Sequence, residues 1–174
     1  MTTENQSKKE QSSKPASTHA KSINQKTEPK ASTGEKIAIV LVRGLVDVSA
    51  QVKDTLQMLH LTRKNHCVVI VDNPVNRGMI KKVKDYIAYG EISEETYNKL
   101  VEKRGTEFQG REQDGKKKYS YKFLEINGKK YKPYFRLNPP RKGFGRKGIK
   151  VAFKAGGSLG NRGNKMNDLI ERML

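Results

Sequence analysis

Three histidines and a single cysteine are the side chains here best suited to metal or acid–base chemistry, and their settings argue against both. His19 sits in a polar leading segment, His60 at the end of a helical pattern and His66 beside an apolar run. None has a carboxylate or cysteine at metal-ligand spacing. Cys67 lies inside Cys67-Val68-Val69-Ile70-Val71, where a thiol packs as a small hydrophobe. A nucleophilic thiolate needs an exposed, electropositive setting instead. One cysteine also excludes an intrachain disulfide and a multi-cysteine zinc site. No catalytic site, metal or cofactor is expected.

The segment Gly143-Phe144-Gly145-Arg146-Lys147-Gly148 matches the dinucleotide-binding glycine pattern letter for letter. Its context does not: Asn138-Pro139-Pro140-Arg141-Lys142 precedes it where a strand should stand, and no helix pattern begins at Gly148. A different chemistry fits better. Arg136, Arg141, Lys142, Arg146, Lys147, Lys150 and Lys154 interleave with Phe135, Phe144 and Phe153. Such cations neutralise phosphates, glycines admit a close backbone approach, and aromatics either stack on unpaired bases or anchor the loop to a core. RNA is the expected ligand of the cations, with core anchoring the expected role of the phenylalanines. Asn161-Arg162-Gly163-Asn164 is a second compact basic turn.

Charge supports a polyanionic partner. The chain of 174 residues carries 36 Lys+Arg against 18 Asp+Glu, a formal net charge of +18. Such self-repulsion is relieved by nucleic acid. Residues 105–174 hold +12 of this excess, while residues 35–104 are nearly balanced at +3. No apolar run is long enough for a membrane span, and the first residues lack the apolar stretch of a secretory signal. A cytoplasmic protein without membrane or small-molecule partners is expected.

Elements to carry these residues can be read from periodicity. Residues 1–34 are Ser-, Thr-, Lys- and Gln-rich without an aromatic residue, so this tail is expected to be disordered alone, either lying along RNA or serving as a linker. Ile37–Val42 is a buried strand by composition. Ser49 is placed to cap a helix with Val52, Leu56 and Leu59 on one face. Cys67–Val71 is a second strand, Asp72-Asn73-Pro74 a turn, and Met79, Ile80 and Val83 the inner side of a second helix. Tyr86–Glu91 reads as a third strand. A third helix runs from a cap at Ser93 to Gly105, with Tyr97, Leu100 and Val101 as its apolar stripe. Asn127-Gly128 predicts a hairpin between Tyr119–Ile126 and Lys130–Tyr134. Residues 135–163 show little periodicity, and Met166, Leu169, Ile170 and Met173 mark a closing helix with Asn164 as its cap.

Several blocks resemble one family, the large-ribosomal-subunit protein called L-thirty in bacteria and archaea and L-seven in eukaryotes. They are Val42-Arg43-Gly44, Leu56 to Asn65, Asn65 through Gly90, Lys103-Arg104-Gly105, Phe135 to Phe144 and Gly156 to Gly163. Coverage runs over about residues 36–174, and the last two blocks look archaeal. The resemblance implies an α+β fold: a ferredoxin-like β-α-β-α-β core whose three-stranded sheet is antiparallel, with helices on one face. It implies a structural role in the large subunit, binding rRNA near the 5S RNA region beside neighbouring ribosomal proteins.

The corresponding RNA contacts fall on Arg43, Arg63, Lys64, Arg77 and Lys81 in the core, and on Arg136, Arg141, Lys142 and Arg162 beyond it. Lys82, Arg146 and Lys147 join them from the charge pattern. Three regions are expected: a tail over 1–34, a core with its following helix over 35–104, and a basic extension over 105–174 containing the hairpin, the Gly/Pro/Arg-rich loop and the terminal helix. Two features depart from the family: the tail has no assigned role, and the segment from Gly105 to Phe135 carries a hairpin where relatives have a helical insert. An extra-ribosomal RNA chaperone or regulator with the same fold is the alternative function.

Overall fold

Strand β1 (Lys36–Leu41) occupies the middle of the sheet, as its unbroken apolar run requires. Ala38 through Val42 are wholly buried, so both faces of the strand are covered. In this computed structural model, which describes residues 35–174, β1 pairs antiparallel with β2 (His66–Val71) and β3 (Ile87–Glu91). Two short strands extend the sheet: β6 (Phe135–Arg136) runs antiparallel to β2, and β7 (Gly160–Asn161) runs parallel to β3. The order is β6-β2-β1-β3-β7, a mixed five-stranded sheet in an α+β fold. The three central strands pair as expected, but the sheet does not stop at three. The predicted tail lies outside the described residues.

Alternation along β1 divides the core in two. Ile37, Ile39 and Leu41 face α1 (Ala50–Met58) and α2 (Pro74–Val83), meeting Leu56, Ile80 and Val83. Ala38, Val40 and Val42 face the other way, toward Leu100 of α3 (Glu94–Arg104) and toward α4 (Lys165–Glu171). The two helices of the β-α-β-α-β unit, α1 and α2, share one face as the family resemblance implied, while the later α3 and α4 cover the other. Small side chains permit this second layer. A Cβ on Gly90 would lie 2.4 Å from the Gly163 carbonyl oxygen and 2.9 Å from Met166 Cβ, so glycine is what lets α4 approach β3. A helix of 7 residues is too short to persist alone. Burying Met166, Leu169, Ile170 and Met173, each fully covered, holds it at about 1.5–3 kcal/mol apiece.

End chemistry decides the helix boundaries unevenly. At α3 the Ser93 Oγ accepts the Thr96 N–H at 3.4 Å, Glu94 and Glu95 occupy the positive end, and Lys103 and Arg104 the negative end. Ser49 and Asn164 stand at the expected cap positions of α1 and α4 but make no side-chain cap hydrogen bond. Asn73 likewise makes none, and α2 starts instead on the φ-restricted Pro74.

The hairpin forms where Asn127-Gly128 demands it, with φ of 51° and 72° at the two turn residues. Its strands, β4 (Leu124–Ile126) and β5 (Lys129–Tyr131), are shorter than expected and make a separate two-stranded sheet. Residues 135–163 are less irregular than their sequence suggested, since they supply β6, a 3-10 turn at Phe153–Ala155 and β7. Strands of 2 residues leave no period to read; the free edges of β2 and β3 recruit them.

Candidate nucleic-acid interface

Arg63 and Lys64 stand exposed in the turn entering β2, and Arg136 stands exposed on β6 directly opposite His66. The fold therefore gathers three predicted contacts from distant sequence onto one sheet edge. Arg136 lies with Cζ 5.9 Å from the Tyr134 ring centre, and the same ring stacks on His66 at 4.8 Å. Burial, reinforced by the positive charge of Arg136 and Arg63, holds the His66 imidazole below its ordinary pKa. His66 is thus a neutral packing group within a cationic edge. Arg43, just past β1, lies 4.8 Å from the Tyr86 ring centre and donates to the Asp85 carbonyl at 3.2 Å.

Arg77, Lys81 and Lys82 are exposed on α2. The Arg77 guanidinium is already engaged with both carboxylate oxygens of Asp72, which holds that carboxyl below the usual range. Part of its hydrogen-bonding fork is therefore committed. Here α2 covers one sheet face, while the extension's Phe144 and Ile149 pack against the other.

In the extension Arg141, Lys142, Arg146 and Lys147 are all exposed. Arg162 is not. It is 6% exposed, with Nη2 donating to the Phe144 carbonyl at 2.9 Å and to the Ser158 carbonyl at 3.1 Å. Its guanidinium carbon lies 4.7 Å from the Phe153 ring centre. Arg162, expected among the RNA contacts, is instead found with its side chain tying the basic loop together from beneath. The reason is local, since β7 pairing with β3 turns the residue after Asn161 inward.

The phenylalanines divide as well. Phe135 is fully buried, Phe144 leans on the core, and Phe153 belongs to neither core cluster. The dinucleotide-like glycines form successive turns, with Gly145 packed so tightly against Gly157 that a Cβ would lie 2.6 Å from its carbonyl oxygen. They serve the loop's own folding. Lys165 and Arg172 line the same cleft as Lys142, Arg146 and Lys147 and were not among the predicted contacts. Helical spacing from Lys165 through Asp168 to Arg172 was the available signal, opposite the apolar stripe of α4.

Among the described residues no helix is long and apolar enough to cross a membrane. Nor, among them, is any group of three or more His, Cys, Asp or Glu placed to hold a metal ion.

Similarity to known proteins agrees with this cationic surface. A family model described as ribosomal protein L30p/L7e matches residues 37–87, from β1 to the start of β3. A large ribosomal subunit protein uL30 from Methanococcus maripaludis is 45% identical over 151 residues, covering 79% of this chain and 98% of that protein. The chain belongs to the ribosomal protein L30p/L7e family. Other uL30 relatives are equally well spanned: that of Nanoarchaeum equitans is 44% identical and covered over 97% of its length, that of Methanopyrus kandleri 40% identical and covered throughout. These relatives are archaeal, as the extension blocks suggested. The L30p/L7e family is one of ribosomal proteins, not of enzymes.

Proposed function

We propose that this protein is a structural constituent of the large ribosomal subunit that binds and stabilises large-subunit rRNA. The observation that carries this reading is near-complete coverage of archaeal large-subunit proteins, one of them at 45% identity. The surface supports it through exposed cations on two faces and the +12 net charge of residues 105–174. The proposed mechanism is phosphate neutralisation, with exposed Lys and Arg displacing counterions while the rigid sheet fixes their spacing.

The proposed contacts are Arg63, Lys64 and Arg136 at the sheet edge, Arg141, Lys142, Arg146 and Lys147 in the extension, Lys81 and Lys82 on α2, and Arg43 and Arg77 through the part of each fork left free. Placement near the 5S RNA region, beside other ribosomal proteins, follows from the family resemblance. The β-α-β-α-β order with β1 between β2 and β3 supports a ferredoxin-like core over residues 35–104 carrying a basic extension over 105–174.

Co-sedimentation tests the reading. The protein should travel with mature large subunits at one copy per particle and resist a wash that strips transient factors. Substoichiometric or washable association would contradict it and favour an extra-ribosomal RNA chaperone.

A further inference from the structure

Beyond Pro140 the chain folds back around a cleft of about 500 Å³, within the roughly 300–1,000 Å³ typical of small-molecule sites. Besides the buried Arg162, its cations come from two separate segments: Lys142, Arg146 and Lys147 from the glycine-rich turns, and Lys165 and Arg172 from the start and the C-cap of α4. Asp168 is the one carboxylate among the lining residues. A solvated basic loop would spread such charges apart. Here they converge on one concavity.

The cleft also contains an aromatic ring that the core does not explain. Phe153 is half-buried yet packs in neither apolar cluster; its neighbours are cationic, with Arg162 Cζ at 4.7 Å and Lys165 Nζ at 6.0 Å from the ring centre. An aromatic among cations matches a ligand that is flat and apolar at one end and anionic at the other.

The walls are fixed by the chain itself. Ser158 Oγ donates to the Gly148 carbonyl at 2.7 Å, and Arg162 Nη2 to that of Phe144 at 2.9 Å. Arg172 Nη1 donates to the carbonyls of Arg141 at 3.3 Å and Gly143 at 3.2 Å. A cavity braced from both sides loses little entropy when filled.

We propose that this cleft takes one unpaired, extruded nucleotide of the bound RNA, its base against Phe153 and its phosphate among Lys142, Arg146, Lys147 and Lys165. The inference rests on the rRNA-binding reading and adds to it a single-stranded element, because a base within a duplex cannot present its face to a side chain. A bare phosphate would use the cations and leave the ring idle. An acidic peptide would do the same.

Nuclear magnetic resonance on the full chain tests this with two probes, 5′-AMP and ribose 5-phosphate. The cleft predicts that 5′-AMP shifts the Phe153 ring protons and the Gly156 and Gly157 amides, while ribose 5-phosphate leaves the ring unmoved. Phe153→Leu keeps an apolar side chain but removes the stacking face. It should weaken binding to large-subunit rRNA by about tenfold, with an unchanged salt slope. Equal effects of the two probes on the ring would overturn the proposal, as would undiminished rRNA binding by a folded Phe153→Leu protein. Either result leaves the wild type's salt-dependent rRNA binding standing; only loss of that binding sinks the broader reading.

Discussion

Cys67 and Phe135 face each other across the β2–β6 pair, both wholly buried, and so join the extension to the core inside one apolar cluster. The basic segment is therefore not an appendage lying on a finished domain. Its first residues complete the sheet, and its last helix covers one face of that sheet.

Truncating this contact should be costly. Phe135→Ala leaves a cavity between β2, α3 and α4 and is expected to destabilise the protein by about 3–5 kcal/mol in chemical denaturation. Cys67 supplies an independent reporter. Burial pushes its thiol up to about 12, so iodoacetamide should leave it unmodified at neutral pH in the native protein. In Phe135→Ala it should be alkylated as the edge opens.

Arg162 separates support from contact. Replacing it with Met leaves the buried Ser158 carbonyl without its guanidinium partner, a loss of about 1–3 kcal/mol in unfolding free energy. Since Arg162 touches no phosphate in this account, rRNA binding should weaken with little change in salt slope. Lys147→Ala, by contrast, should lower the slope by about 1.

His66 should make stability fall on the acid side. Burial, then Arg136 and Arg63, lower its folded pKa beneath the ordinary 6.5, while Tyr134 stacks on the ring. The unfolded chain thus binds the extra proton between the two values. Stability from this group is full above pH 6.5 and declines as pH falls below it, by at most about 1.4 kcal/mol per pH unit. His60, also lowered, adds in the same direction. Thermal melts of His66→Gln should show a shallower acid decline than the wild type.

Periodicity revealed most of this architecture because the main elements are long enough to repeat. Ile37 through Val42, the Met79–Val83 stripe and Met166 through Met173 all pack as their spacing demands. Strands β6 and β7 were hidden, since Phe135-Arg136 and Gly160-Asn161 become strands only when β2 and β3 offer edges. The second helical layer was hidden too: what admits it is the absence of a side chain at Gly90. Of the expected contacts in the extension, Arg141, Lys142, Arg146 and Lys147 are exposed, as their place among glycines and prolines suggested. Charge pattern could not tell that Arg162 turns inward, because a buried and an exposed arginine read alike in sequence. Lys165 and Arg172 were not legible as cleft residues, because charges opposite the apolar stripe of α4 read as an ordinary solvated helix face.

The most direct test compares two sets of charge removals in equilibrium binding of the full chain to large-subunit rRNA over a salt series. Wild-type affinity should fall by roughly 10³–10⁵ between about 50 and 200 mM salt if six to ten phosphates are engaged. Replacing Arg141, Lys142, Arg146 and Lys147 together with Ala should cut both affinity and salt slope well below the effect of replacing Lys53, Lys99 and Lys103. Equal losses from the two sets, or an affinity indifferent to salt, would contradict an RNA grip seated in the extension.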